Sequence, residues 1–215
     1  MELPDNIIRH YLRDVYFISG SACGGKSTIA KYLSAKYGIT LYNWDEKYTE
    51  HKKISDAAHQ PFMNKNYGSW EEYFSRPPDE YAEAIRRSIN EQVEIAVVEL
   101  ISMATKGGIV VDGIFPCHVL KRISGSGRVI FLMADMEAVR SDYFSRSDKE
   151  DMLECLNGLQ NPQQAIENVF LSIEHSLSRD FDEVRASGFR WIMRDQKPDW
   201  DGIRQMVERH FQFTE

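Results

Sequence analysis

VYFISGSACGGKSTIAK, residues 15–31, sets a β-branched and aromatic run against a glycine-rich turn and then a helix-forming stretch. Residues 14–19 (DVYFIS) stop at Gly20, as a buried strand stops at a turn. Residues 27–37 (STIAKYLSAKY) place Ile29, Ala30 and Leu33 on one side and end at Gly38, a residue suited to the position just past a helix. Between the two, residues 20–27 fit G-x-x-x-x-G-K-[ST], with Gly20, Gly25, Lys26 and Ser27 at the fixed places. Glycines let the backbone curl so that successive N–H groups point inward at phosphate oxygens, and the following helix adds the positive end of its dipole. A lysine in this position reaches the β and γ phosphates, and the hydroxyl after it ligates magnesium. Gly20, Ser21, Ala22, Cys23, Gly24, Gly25, Lys26, Ser27 and Thr28 are therefore the expected nucleotide-binding residues. The pattern alone also describes a glycine-rich turn with an exposed lysine; its place between a strand and a helix favours phosphate binding. Cys23 reads either as an oxidation-sensitive thiol or, the favoured reading, as a small residue that fits the loop.

Composition narrows the classes of partner. The 215 residues are 42% hydrophobic and 27% charged, enough to bury a substantial core as one unit, residues 1–215, with an inserted segment or lid. A net charge of −7 and a mean hydropathy of −0.46 give no overall basic footprint for nucleic acid, so none is expected as the main partner. No apolar run approaches the ~20 residues needed to span a bilayer, and MELPDNIIRHYLRD lacks the basic end and apolar core of a signal peptide. A cytoplasmic protein without membrane association is expected. Cys23, Cys117 and Cys155 are widely spaced, without a CxxC pair, and read as reduced thiols. A homo-oligomer is neither indicated nor excluded, since an apolar helix face serves a core or an interface equally well.

Further along, residues 39–44 (ITLYNW) read as a second strand leading into Asp45 and Glu46. Residues 46–78 are polar and aromatic, broken by Pro61, Gly68 and the Pro77-Pro78 pair, and form the expected insert. Residues 79–106 are helical in pattern and are closed by Gly107-Gly108. Residues 109–112 and 128–133 (RVIFLM) read as strands. Asn161-Pro162 opens a long helix that ends near Gly188; residues 189–193 form a last strand, and a closing helix covers residues 200–211. Strands alternating with helices predict a parallel sheet covered on both faces.

GGIVVDGIFP, residues 107–116, ends an apolar run with Asp112. A carboxylate there, beside the phosphate loop, orders magnesium and its waters; the alternative is an Asp that caps the turn before Gly113. With GSACGGKST, VVDGIFP and VIFLMADMEAVRSDYFSR, the chain resembles the P-loop nucleoside and nucleotide kinase superfamily, which includes adenylate-kinase-like and cytidylate-kinase-like enzymes. VVDGIFP is similar to the DGFP element of nucleoside monophosphate kinases, from which it departs by one extra residue and by lacking the arginine that follows. The first of these motifs is the Walker A pattern and the most specific. The resemblance implies a three-layer α/β P-loop NTPase fold with a five-stranded parallel sheet. It also implies an acceptor-binding segment over residues 45–80, a lid over residues 140–161, and transfer of the γ-phosphoryl group of ATP, with Mg2+, to a small acceptor. It places Arg140 and Arg146 on the lid, where the alternative is a solvated charged segment.

An acceptor hydroxyl needs a base or orienting carboxylate within hydrogen-bond reach. Asp45, read as ending strand two, is chosen for this role over Glu46, with a helix-capping role as the alternative. Arg86 or Arg87 would bind a phosphate-bearing acceptor, unless both are simply solvated. Trp44, Tyr48, Tyr67, Trp70, Tyr73 and Phe74 would stack on a planar acceptor or, the favoured reading, form the small core of the insert. His51 and His59 sit in the same insert, and no histidine spacing suggests zinc. Residues 196–199 (QKPD) are only faintly similar to the guanine-reading element of GTPases. The expected activity is that of an ATP-dependent small-molecule kinase acting on a nucleoside, a nucleoside monophosphate or another hydroxylated metabolite. The rival readings are an ATP-gated regulatory module and a slow ATPase without an acceptor.

Overall fold

The computed structural model describes residues 4–213. In chain order these form α1 (Asp5–Tyr11), β1 (Val15–Gly20), α2 (Lys26–Tyr37), β2 (Thr40–Asn43), α3 (Trp44–Ile54), α4 (Trp70–Phe74) and α5 (Pro78–Ala104). They continue with β3 (Ile109–Asp112), α6 (Cys117–Ile123), β4 (Val129–Met133), α7 (Met136–Asp142), α8 (Glu150–Asn157), α9 (Pro162–Ser187), β5 (Arg190–Met193) and α10 (Trp200–Phe211). The five strands hydrogen-bond in the order β2-β3-β1-β4-β5, and every pairing is parallel.

Side chains alternate between the faces of a strand, and here both sets are apolar. Val15, Phe17, Ile109, Val111, Val129, Phe131 and Met133 pack on one side with Val93, Ala96 and Leu100 of α5, Leu120 of α6 and Val184 of α9. Ile18, Val110, Ile130 and Leu132 pack on the other with Ile29, Ala30 and Leu33 of α2 and Ile203, Val207 and Phe211 of α10. Burying one such side chain contributes roughly 1.5–3 kcal/mol, so the central strands are held from both faces. This is the three-layer α/β P-loop NTPase fold expected from the sequence. Among the described residues no helix is long and apolar enough to cross a membrane.

The register sets the site. Ile18 lies opposite both Asp112 and Ile130, and Asn43 lies opposite Asp112. The C-terminal ends of β2, β3 and β1 therefore reach one edge together. Between β3 and β4, which flank β1 on opposite sides, that edge opens the crevice where open parallel sheets bind ligands.

One boundary differs from the sequence reading in a way that matters. Asp45 does not end strand two: β2 stops at Asn43, and Asp45 lies in the first turn of α3. Asn43 is the reason. Its side-chain oxygen accepts from the Asp45 N–H at 3.2 Å, and its amide donates to Glu46 at 2.7 Å, which starts a helix where β-propensity alone would continue a strand.

Candidate functional site

The phosphate loop is pressed against β4 so closely that two of its glycines have no room for a side chain. A Cβ on Gly20, at φ +128°, would stand 2.0 Å from the Leu132 carbonyl oxygen, and one on Gly24 would stand 2.1 Å from the same atom. The Ser21 N–H donates to that carbonyl at 3.1 Å, and Ser21 Oγ accepts from the Ala134 N–H at 2.8 Å. Gly25, at φ +93°, is the N-terminal cap of α2 and offers no side chain to the helix's first N–H groups. Those groups are left for an anion.

Lys26 follows at once and donates from Nζ to the Ser21 carbonyl at 2.6 Å. Desolvation pushes its ammonium below the usual lysine range, Asp112 and Asp45 pull it back up, and Arg146 opposes them. Asp112, 5% exposed, ends β3 between strands that bury it. Burial raises its carboxyl above the ordinary value, while the Ser27 hydroxyl and Lys26 lower it and Asp45 raises it further. Lys26, Ser27, Asp112 and Asp45 are thus one electrostatic group. Among the described residues no three His, Cys, Asp or Glu side chains cluster as metal ligands. One hydroxyl beside one carboxylate suits magnesium, which keeps most of its waters and takes its remaining oxygens from phosphate. The residues present fit Mg-ATP.

The two carboxylates at the start of α3 part company. Glu46 is occupied by the Asn43 amide, whereas Asp45 is exposed and faces Lys26 and Asp112. Beside it opens a cavity of about 780 Å3, lined among others by Trp44, Asp45, Tyr48, Tyr73 and Arg76.

The two arginines of RSDYFSR, Arg140 and Arg146, also separate. Arg146 is half-buried, held by Asp148 through bonds of 2.9 and 2.7 Å, and its charge pulls down the Cys23 thiol, which burial raises overall. It therefore stands over the phosphate loop. Arg140 is exposed, forked onto Glu167 of α9 at 2.9 and 2.8 Å, with its guanidinium 4.9 Å from the Phe170 ring centre. Arg86 and Arg87 both pair with Glu83, at 2.7 Å from each Nε. His59 pairs with Asp56 at the surface, and His51 is 3% exposed on the buried face of α3.

The aromatic residues divide. Trp44 packs edge-on against Phe115 at 4.8 Å and fills the space where Gly113 has no Cβ, so it belongs to the main core. Tyr67, Tyr73 and Tyr81 surround the Arg76 guanidinium at 4.3, 4.4 and 4.6 Å. Trp70 remains 61% exposed. In the loop before α10, Asp199 of QKPD caps that helix by accepting from the Gly202 N–H at 3.0 Å.

Sequence reasoning missed Arg194. It is 9% exposed, donates to the Cys23 carbonyl at 2.9 Å and ion-pairs with Asp142 of α7, so it ties the phosphate loop to α7. An arginine closing a short strand carries no local signal of that. Arg76 was equally missed: Tyr67, Tyr73 and Tyr81 are its near neighbours in sequence, but no periodicity shows that the segment folds back to place all three rings on its guanidinium.

No protein-family model matches the chain, and no curated protein matches it. Among solved structures it is similar to a shikimate kinase from Acinetobacter baumannii in complex with shikimate, at 14% identity and TM-score 0.49, covering 98% of this chain and 99% of that one. A shikimate kinase from Bacteroides thetaiotaomicron matches at 14% identity and TM-score 0.46, over 92% of this chain and 98% of that one. A deoxyadenosine kinase from M. mycoides with bound dCTP matches at 15% identity and TM-score 0.42, over 93% and 100%. At such identities the chemistry has to be read from this chain's own residues.

Proposed function

We propose that this protein transfers the γ-phosphoryl group of Mg-ATP to a hydroxyl of a small molecule held in the cavity beside Asp45. The observation that carries the proposal is that Lys26, Ser27, Asp112 and Asp45 form one group of mutually acting charges and hydroxyl, and that Asp45 also lines that cavity.

The loop amides and the start of α2 hold the phosphates, and Lys26 exchanges the Ser21 carbonyl for β and γ oxygens. Ser27 and Asp112 hold magnesium, which neutralises charge on the transferred group. Asp45 orients the acceptor hydroxyl and takes its proton. Arg146 supplies positive charge from residues 140–161, acting as a lid, as the transition state spreads charge over the phosphoryl oxygens. Arg140, forked onto Glu167, anchors the lid to α9. Residues 45–80 form the acceptor side, with Trp70 at its rim.

General-base catalysis contributes ~10²–10⁴ in rate, so Asp45→Asn should lower transfer by at least ~100-fold. Mg-ATP affinity, measured by calorimetry, should change little. Unchanged turnover in Asp45→Asn would remove Asp45 from the acceptor role.

A further inference from the structure

Beneath α3 lies a chain of buried polar groups that the transfer chemistry does not use. Glu99 of α5 accepts from Tyr42 Oη at 2.8 Å and contacts His51 Nε2 at 2.9 Å. The other ring nitrogen of His51, Nδ1, stands 3.2 Å from Gln92 Nε2, and that same amide nitrogen lies 3.4 Å from the Trp44 carbonyl. One amide nitrogen carries two hydrogens, so Gln92 donates to both. His51 Nδ1 is then an acceptor, its hydrogen sits on Nε2, and that hydrogen is given to Glu99. Gln92, His51 and Tyr42 are 2%, 3% and 1% exposed, which is a costly place for polar side chains unless every member is satisfied. Burial pushes the Glu99 carboxyl up, but hydrogen bonds from His51, Tyr42 and Lys47 outweigh it and hold it below the ordinary value. The chain ends on Trp44, the residue before Asp45, whose ring is fixed independently by Phe115 and Gly113.

We infer that Glu99, His51 and Gln92 are positioning residues that fix the first turn of α3 and thereby aim Asp45 at the acceptor. This rests on the acceptor role proposed above for Asp45. Asp45 is exposed and its own carboxylate has no hydrogen-bond partner among the described residues, so its placement is inherited from the backbone of that turn. The polar chain reaches that backbone at the Trp44 carbonyl, and Lys47, one turn further on, meets Glu99 at 3.2 Å. The group that aims Asp45 thus draws on β2, α5 and the buried face of α3 itself, and of its members only Gln92 reaches the wall of the acceptor cavity.

A double-mutant cycle between Gln92→Met and Asp45→Asn tests this in the full-length protein, with an acceptor that supports ADP formation from Mg-ATP. Gln92→Met should lower kcat for the acceptor about tenfold, leave the KM for ATP unchanged, and cost nothing further in the Asp45→Asn background. Losses that multiply, or full activity in Gln92→Met, would overturn the inference while leaving the kinase reading intact. If Asp45→Asn itself is fully active, the acceptor role and the inference fall together. Should Gln92→Met fold poorly, His51 supplies a second comparison. His51→Asn keeps an acceptor near the Nδ1 position and should retain most of the rate, whereas His51→Gln keeps only the donor to Glu99 and should lose it. The reverse order, or equal loss with equal melting temperatures, would contradict the positioning role.

Discussion

The phosphate side and the proposed acceptor side of this protein are built in opposite ways. On the phosphate side the working groups are backbone amides, and Gly20 and Gly24 are required because the Leu132 carbonyl leaves no space for a Cβ. Contact with β4 fixes that geometry, and residues adjacent in sequence supply nearly all of it. On the acceptor side the groups are side chains gathered from α3, α4 and α5, around a cavity of about 780 Å3. A ligand defined by its phosphates can be held by one short motif; an acceptor defined by its shape needs residues brought together by the fold.

Substitutions should expose that difference. The largest effect is expected from Lys26→Ala: losing a cation that meets developing charge costs ~10²–10³ or more in kcat, so transfer should be undetectable. Because burial already disfavours the Lys26 ammonium, the same substitution should leave the melting temperature unchanged or slightly raised. A fully active Lys26→Ala protein would break the phosphate-side account. Next, Arg146→Ala should lower kcat ~10–100-fold and Arg140→Ala only a few-fold, as Arg146 stands by Cys23 and Arg140 is spent on Glu167. Steady-state kinetics showing the opposite ranking would mean that residues 140–161 rearrange beyond what this structure shows. Trp70→Ala, removing an exposed ring at the cavity, should raise the acceptor KM about threefold through lost stacking and leave the ATP KM alone.

A further effect concerns stability rather than kinetics. Glu99 has a carboxyl held below its ordinary 4.5 in the folded protein, so its contribution is present above pH ~4.5 and is lost as pH falls through the folded value. Glu99→Gln should therefore be less stable than the parent by about 1 kcal/mol at pH 7, with the gap closing in acid. A gap that widens below pH ~4 in urea titrations would contradict the hydrogen-bonded carboxylate.

How much of this was legible depended on how local the cause was. The strand, glycine loop and helix of residues 15–37 were readable because the motif, the strand run and the cap at Gly38 are contiguous. The second strand was read one residue too long at its C-terminal end, and the missed signal was local too: Asn43-Trp44-Asp45-Glu46 is an N-cap followed by a glutamate at the third helical position. The rest of α3 has no hydrophobic period, since its buried residues are only Trp44 and the polar His51. His51 is buried by pairing with Glu99 and Gln92, both on a helix beyond the insert, and no window on the sequence holds all three. Arg140 and Arg146 look alike in RSDYFSR; only the fold hands one to Glu167 and leaves the other at the loop.

The most direct test of the central claim is ADP formation from Mg-ATP across nucleosides, nucleoside monophosphates and other hydroxylated metabolites, with Lys26→Ala as the control. Acceptor-dependent ADP, with phosphate recovered on the acceptor and none formed by the variant, is the predicted result. Tight ATP binding with no acceptor-stimulated ADP anywhere in the panel, and a partner protein that copurifies, would contradict it and favour a nucleotide-gated binding module.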